Sequence, residues 1–198
     1  MGRHAGCAGS FGEFRAHAEP VPGTVRLKGT DRFSETVPMM DDSGSMTPTD
    51  VERDLDVDIA LRWGTGYDTV LQSFVNIIAT PKGGTHQQGF ERGLVKAFLK
   101  GLDSTRIMKA GEELLKDDIL EGLTAVVTVR LAEPQFEGQT KEVLGTPAVA
   151  RIVARIVETE LASYLTSTKA ATKAQARAVM EKVVNAARTR VAARSHKE

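Results

Sequence analysis

The chain has 198 residues and a mass of 21.4 kDa, enough for one large domain or two small ones. Apolar residues make up 41% and charged residues 26%, which excludes a collagen-like, globally disordered or membrane-bundle chain. No run reaches the roughly 18 apolar residues of a membrane span, the first ten residues lack a secretory apolar core, and the lone Cys7 closes no internal disulfide, so a reducing cytoplasm and no membrane are expected.

In chain order, residues 1–36 are glycine-rich, carry Pro20 and Pro22, and read as loosely structured. Residues 38–54 gather Asp, Ser, Gly, Pro and Thr and read as a loop. Val57, Ile59, Leu61 and Trp63 alternate with polar or small residues, the period of a strand with one wet face. Gly64 and Gly66 turn the chain, and residues 70–78 (VLQSFVNII) form a second strand, expected to pair with the first as a hairpin. Thr85 is placed to cap a helix reaching about Lys100, with Gly101 at its exit. Residues 123–131 (LTAVVTVRL) form a third strand, more apolar than one wet face requires. Thr146 and Pro147 open a helix with Val149, Ile152, Val153, Ile156, Val157, Leu161 and Tyr164 on one face. A last helix from about Thr172 to Ala193 has a narrow stripe of small residues, so it is expected to project from the body or to meet another domain.

The formal charge of zero hides an asymmetry. Residues 41–58 carry seven acids against Arg53, and residues 169–198 carry eight bases against two acids. Local excesses of this kind bear on partners. On the last helix, Lys173, Arg177, Lys182, Arg188, Arg190 and Arg194 either approach nucleic-acid phosphates or form the solvated face of a connecting helix, and the two readings stand level.

Other signals weigh less. Gly64-Thr65-Gly66 begins a dinucleotide fingerprint, but Thr69 stands where its third glycine belongs, and a strand follows instead of a helix. Asp56 and Asp58 have a metal-site spacing but fall on the wet face of a strand. Asp117, Asp118 and Glu121 read as a solvated loop. His4, His17, His86 and His196 have no mutual ligand spacing, so no metal site is expected. Gln139-Thr140-Lys141 offers an amide, a hydroxyl and an ammonium in a loop ahead of a helix. Such a triplet suits a phosphate, although most such triplets are only loops.

Taken together, six stretches resemble the B subunit of bacterial type IIA topoisomerases in its transducer domain. They are residues 32–38 (RFSETVP), 57–63 (VDIALRW), 74–78 (FVNII), 83–90 (GGTHQQGF), 121–126 (EGLTAV) and 136–141 (FEGQTK), in family order. The resemblance runs from about residue 9 to the C-terminus, and Gly9-Ser10-Phe11-Gly12-Glu13-Phe14 looks like a damaged family stretch. It implies an α+β fold like the second domain of ribosomal protein S5: a mixed sheet covered by helices, with a long projecting C-terminal helix. It divides the chain into a remnant of the ATPase domain and linker (1–36), a transducer domain (37–168) and a basic helix (169–198) leading toward an absent TOPRIM domain. It implies that Lys141, helped by Gln139 and Thr140, reaches the γ-phosphate of ATP held with Mg2+ mainly by a neighbouring domain. It further implies that Arg151, Arg155, Arg188, Arg190 and Arg194 face DNA. The implied partners are DNA, the topoisomerase A subunit and a second copy of the B subunit.

The motifs of the family's nucleotide and TOPRIM domains are missing from these 198 residues, so the chain reads as a fragment, inactive in ATP hydrolysis by itself. The alternative is a non-enzymatic nucleic-acid-binding module on the same S5-like fold.

Overall fold

A computed structural model describes residues 23–40, 44–109 and 111–195. The stretch around Gly9, along with Cys7, His4, His17, His196, Asp41 and Asp42, lies outside the described residues.

Among the described residues, nine elements follow one another: β1 (Val25–Met40), β2 (Met46–Trp63), β3 (Val70–Val75), β4 (Ile78–Ala79), α1 (Thr85–Thr105), α2 (Lys116–Leu120), β5 (Leu123–Leu131), α3 (Pro147–Leu165) and α4 (Ala170–Ser195). The strands form one mixed sheet in the order β1-β2-β5-β3-β4. The α+β class and the mixed sheet expected from the sequence are present.

The sheet differs from the sequence reading in two ways. The hairpin expected between residues 57–63 and 70–78 does not form. β3 instead runs parallel to β5, which sits between it and β2. The apolar character of β5 explains the exchange: Thr124, Val126 and Thr128 on one face and Ala125, Val127 and Val129 on the other are all buried, and a strand buried on both faces belongs in the sheet interior. β3 finds its hairpin partner in the two-residue β4, across a turn at Asn76 and Ile77.

Residues 25–36 and 46–54, expected to be loose or looped, are strand. β1 and β2 pair without interruption from Val25↔Leu61 to Met40↔Met46, so the segment boundary drawn at residue 36 falls inside β1. Beyond Leu55, where β5 ends, the two strands continue past the sheet as a two-stranded arm. The acids of residues 50–58 bridge β1 and β2 on their wet face, both on the arm and beside β5. Asp58 accepts two bonds from Arg26 (2.9 and 2.6 Å), Asp56 one from Thr30 (2.8 Å), Asp54 one from Arg32 (2.7 Å) and Asp50 one from Thr36 (2.6 Å). The Arg26 guanidinium holds the Asp58 carboxyl below the usual carboxylate range. A slip of one residue would drive this row of carboxylates into the core, so the ladder and the apolar face enforce the same register.

On the opposite face, Leu27, Phe33, Leu55, Val57, Ile59, Leu61 and Trp63 meet the helices. Trp63 packs edge-on to Phe98 of α1 (5.4 Å, 73°) and donates its Nε1 hydrogen to the Ile119 carbonyl (2.8 Å). α1 and α3 pack closely because α1 carries Gly89 and Gly93 on the contact face. A Cβ at Gly89 would lie 2.4 Å from the Ala150 carbonyl oxygen, and one at Gly93 2.7 Å from that of Ala154. Gly101, expected at the helix exit, is internal to α1 and lies against Leu165, and the helix instead ends at Arg106 with φ 52°.

The expectation that the last helix projects from the body is also corrected. Ala176, Val179, Met180, Val183, Val184 and Ala187 of α4 are buried against the rest of the chain. Small residues suffice because α4 is also tied by charge: Arg190 grips Asp118 of α2 through two bonds (2.8 and 3.0 Å), and Arg188 grips Glu112 (2.8 and 3.2 Å). Lys182 donates to the Glu121 carbonyl (2.6 Å). Residues 191–194 are exposed.

The glycine contact yields a direct expectation. Gly93→Val forces α1 and α3 apart and costs about 1–3 kcal/mol or more of stability. Urea unfolding should show a lower midpoint at unchanged m-value, and an unmoved midpoint contradicts the packing described.

Candidate functional site: the loop before α3

Residues 132–146 connect β5 to α3 and carry Gln139, Thr140 and Lys141. The segment is a small hairpin. Glu137 N–H donates to the Val143 carbonyl (2.9 Å), Gly145 N–H to the Gln135 carbonyl (2.8 Å), and Phe136 and Leu144 form a bridge. Its tip turns through Gly138 (φ 80°) and Lys141 (φ 56°) and is exposed.

Its returning limb is seated on the start of α1. Leu144 N–H donates to the Gly83 carbonyl (3.2 Å), and Thr85 N–H donates to the Leu144 carbonyl (2.8 Å). Gly84 has φ 135°, and a Cβ there would lie 2.4 Å from the Leu144 nitrogen. The second glycine therefore has two reasons to be glycine, backbone angle and contact. Of the two threonines expected to cap a helix, Thr146 is the N-cap of α3 and Thr85 is not that of α1, and neither hydroxyl makes a capping bond. Gly84, not Thr85, is the N-cap of α1, and the Thr146 hydroxyl ahead of α3 accepts from the Gln135 N–H (3.1 Å). Pro147 does open α3 as expected.

The outgoing limb is anchored as well. The Asn76 side chain donates to the Leu131 carbonyl (3.2 Å) and accepts from its N–H (3.1 Å). Glu133, at φ 51°, turns the chain onto the arm. There Arg53 of β2 bonds Glu133, and Gln135 donates to Glu35 of β1.

Charge is distributed unevenly at the tip. Lys82 donates to Glu142 (2.6 Å), as does the Thr140 hydroxyl (3.2 Å). Lys82 first, and the hydroxyl second, hold the Glu142 carboxyl below its ordinary value. Glu142 thus neutralises Lys82, whereas no carboxylate among the described residues pairs with Lys141. The outcome is an exposed ammonium, flanked by an amide and a hydroxyl, on a doubly anchored loop. That arrangement suits a terminal phosphate presented from outside.

Beneath the Gly83-Gly84 seat lies a buried polar cluster. Thr80 and Ser73 exchange hydroxyl-to-carbonyl bonds (3.0 and 2.9 Å), and His86 Nε2 lies 3.1 Å from the Thr80 hydroxyl. His86 is fully buried, and desolvation pushes its pKa down to about 4.

The five arginines expected at DNA occupy separate settings. Arg151 is exposed near the start of α3. Arg155 bonds Asp31 of β1. Arg188 and Arg190 are engaged with Glu112 and Asp118, and Arg194 is exposed at the end of α4. Among the described residues, no group of three or more His, Cys, Asp or Glu side chains is placed to hold a metal. Asp117, Asp118 and Glu121 are not a uniform wet cluster, since Asp118 is buried and also accepts from the Leu115 N–H (2.8 Å). Sequence reasoning missed Arg53, Glu35, Gln135, Asn76, Lys82 and Glu142. The signal for Arg53 and Glu35 was present in the alternation of β1 and β2 through Phe33, Glu35 and Val37 and through Val51, Arg53 and Leu55.

The family model for DNA gyrase B matches residues 25–198. The DNA gyrase B subunit of Streptomyces coelicolor is 44% identical over 105 residues, covering 52% of this chain and 15% of that protein. That of Borreliella burgdorferi is 39% identical over 146 residues, covering 73% and 22%. The chain therefore spans less than a quarter of the length of these curated relatives. Among solved structures, the 43K ATPase domain of Thermus thermophilus gyrase B, crystallised with an aminocoumarin, aligns with a TM-score of 0.72 at 26% identity, covering 96% of this chain and 44% of that one. The topoisomerase IV ATP-binding domain of Francisella tularensis aligns at 0.60 with 28% identity, covering 69% and 37%.

The buried histidine predicts a pH effect. Between about pH 6.5 and pH 4 the unfolded chain binds a proton that the folded chain refuses, so stability falls as pH falls through that window, by on the order of 3 kcal/mol at its lower end. His86→Gln should flatten this dependence in urea titrations run at several pH values. Equal pH slopes in the two proteins would show that His86 is not its source.

Proposed function

The chain belongs to the DNA gyrase B family, and on that premise we propose that it is the transducer part of the B subunit of an ATP-dependent type II DNA topoisomerase, with an S5-like fold. The observation that carries the reading is the Lys141 ammonium, exposed and without an acidic partner among the described residues, on a loop anchored at both ends.

ATP, held with Mg2+ mainly by a neighbouring domain, supplies the phosphoryl group. Lys141 offers its charge to the terminal phosphate, and Gln139 and Thr140 offer an amide and a hydroxyl beside it. Because the loop is held in place before the nucleotide arrives, the charge costs little reorganisation when negative charge develops on the transferring group. Lys141 also senses occupancy: a contact made to the γ-phosphate and lost after hydrolysis is a differential affinity, which is what shifts a conformational equilibrium. The seat of the loop on the start of α1, and its continuation into α3, give that signal two helices to act on. In the working enzyme the partners are DNA, the A subunit and a second copy of the B subunit. Arg151 and Arg194, the two of the five arginines without an ion pair among the described residues, are the better candidates for DNA phosphates.

The alternative, a nucleic-acid-binding module, has less behind it. Of the cations on its basic helix, Arg177 pairs with Glu181, Lys182 with Glu121, Arg188 with Glu112 and Arg190 with Asp118. Tight, salt-dependent DNA binding by the isolated chain would favour it.

In the full-length protein, Lys141→Ala should lower kcat for ATP hydrolysis by about 10²–10³-fold, the range for removing one transition-state donor. The 198-residue chain alone should hydrolyse no ATP. Unchanged turnover in Lys141→Ala, or robust Mg2+-dependent hydrolysis by the chain alone, refutes the assignment.

A further inference from the structure

The Lys141 hairpin is rooted on the arm formed by the distal halves of β1 and β2. Arg53 stands on the arm's inner face, in line with Leu55 and Val57, and is only 13% exposed. An apolar residue is what that face calls for. Arg53 instead bonds Glu133, the residue that turns the loop, and its Nε lies 3.6 Å from Glu35, which accepts from the Gln135 side chain. Gln135 is the base rung of the hairpin: its N–H reaches the Thr146 hydroxyl (3.1 Å) and its carbonyl receives Gly145 N–H (2.8 Å). An unbroken series of polar contacts thus runs from the arm to the rung below Lys141.

The Arg53 Nε is buried and makes no hydrogen bond. A nearly buried cation with a donor unused is a poor way to gain stability, because an apolar side chain of equal volume does as well or better. What it supplies is direction, since a guanidinium set between Glu133 and Glu35 admits few placements of the loop's entry. We propose that Arg53, acting with Glu35 and Gln135, is a positioning residue that sets the orientation of the Lys141 hairpin. This rests on the reading of Lys141 as a γ-phosphate contact.

The test is steady-state ATP hydrolysis by the full-length protein. If Arg53 positions a group that acts in the transition state, Arg53→Met lowers kcat by about tenfold while KM for ATP stays within about twofold. Arg53→Lys should recover part of the loss, and Arg53→Met should add nothing in a Lys141→Ala background. Gln135→Ala, which leaves the arm's charges in place, should lower kcat in the same sense and serves if Arg53→Met folds poorly. Hydrogen exchange should quicken at the amides of residues 136–145 in Arg53→Met and remain unchanged along β2 and β5. An unaltered kcat in both Arg53→Met and Gln135→Ala, a change confined to KM, or faster exchange throughout the sheet overturns the proposal. If Lys141→Ala is inactive while these variants retain full turnover, only this inference fails; if Lys141→Ala is itself unaffected, the reading beneath it fails.

Discussion

The close approach of α1 and α3 decides where Lys141 stands. One helix supplies the seat at Gly83 and Gly84, and the other begins where the returning limb ends, at Thr146 and Pro147. Gly89 and Gly93 let the two backbones meet at a distance no larger residue would permit. A change in that separation would pull Leu144 off Gly83 or stretch the Gln135–Gly145 rung, because backbone hydrogen bonds tolerate little lengthening. The glycines of α1 therefore do more than pack a core; they gauge the span across which the loop is strung.

The two local charge excesses are largely answered within the chain. The acids of residues 50–58 meet Arg26, Thr30, Arg32 and Thr36 across the β1–β2 ladder. Four bases of α4, Arg177, Lys182, Arg188 and Arg190, meet Glu181, Glu121, Glu112 and Asp118. Where Arg190 meets the buried Asp118, the pair docks α4 on α2. Against this background Lys141 stands out, because its neighbour Lys82 is neutralised by Glu142 and it is not.

Much of the fold was legible because hydrophobic period is a local property. The alternation ending at Trp63, the apolar run of β5 and the three-four spacing of α3 each state their own structure, and the ordered blocks from Arg32 to Lys141 state the family. The arm was hidden by composition. Residues 38–54 are rich in turn formers, yet the same Asp and Thr side chains pair across two strands once a partner strand lies alongside, and only the partner makes that preference visible.

The sequence by itself thus determined the element types along most of the chain, the family and the exposed triplet Gln139-Thr140-Lys141. The tertiary structure alone decided that β5 parts β2 from β3, that α4 lies on the core, that Gly84 and Leu144 share one seat, and that Arg53, Glu35 and Glu133 meet at the foot of the loop. The physical reason is the same in each case. Propensity and periodicity act between residues a few positions apart, whereas strand order, helix docking and the pairing of charges 80 or more residues apart depend on what the whole chain can bury at once.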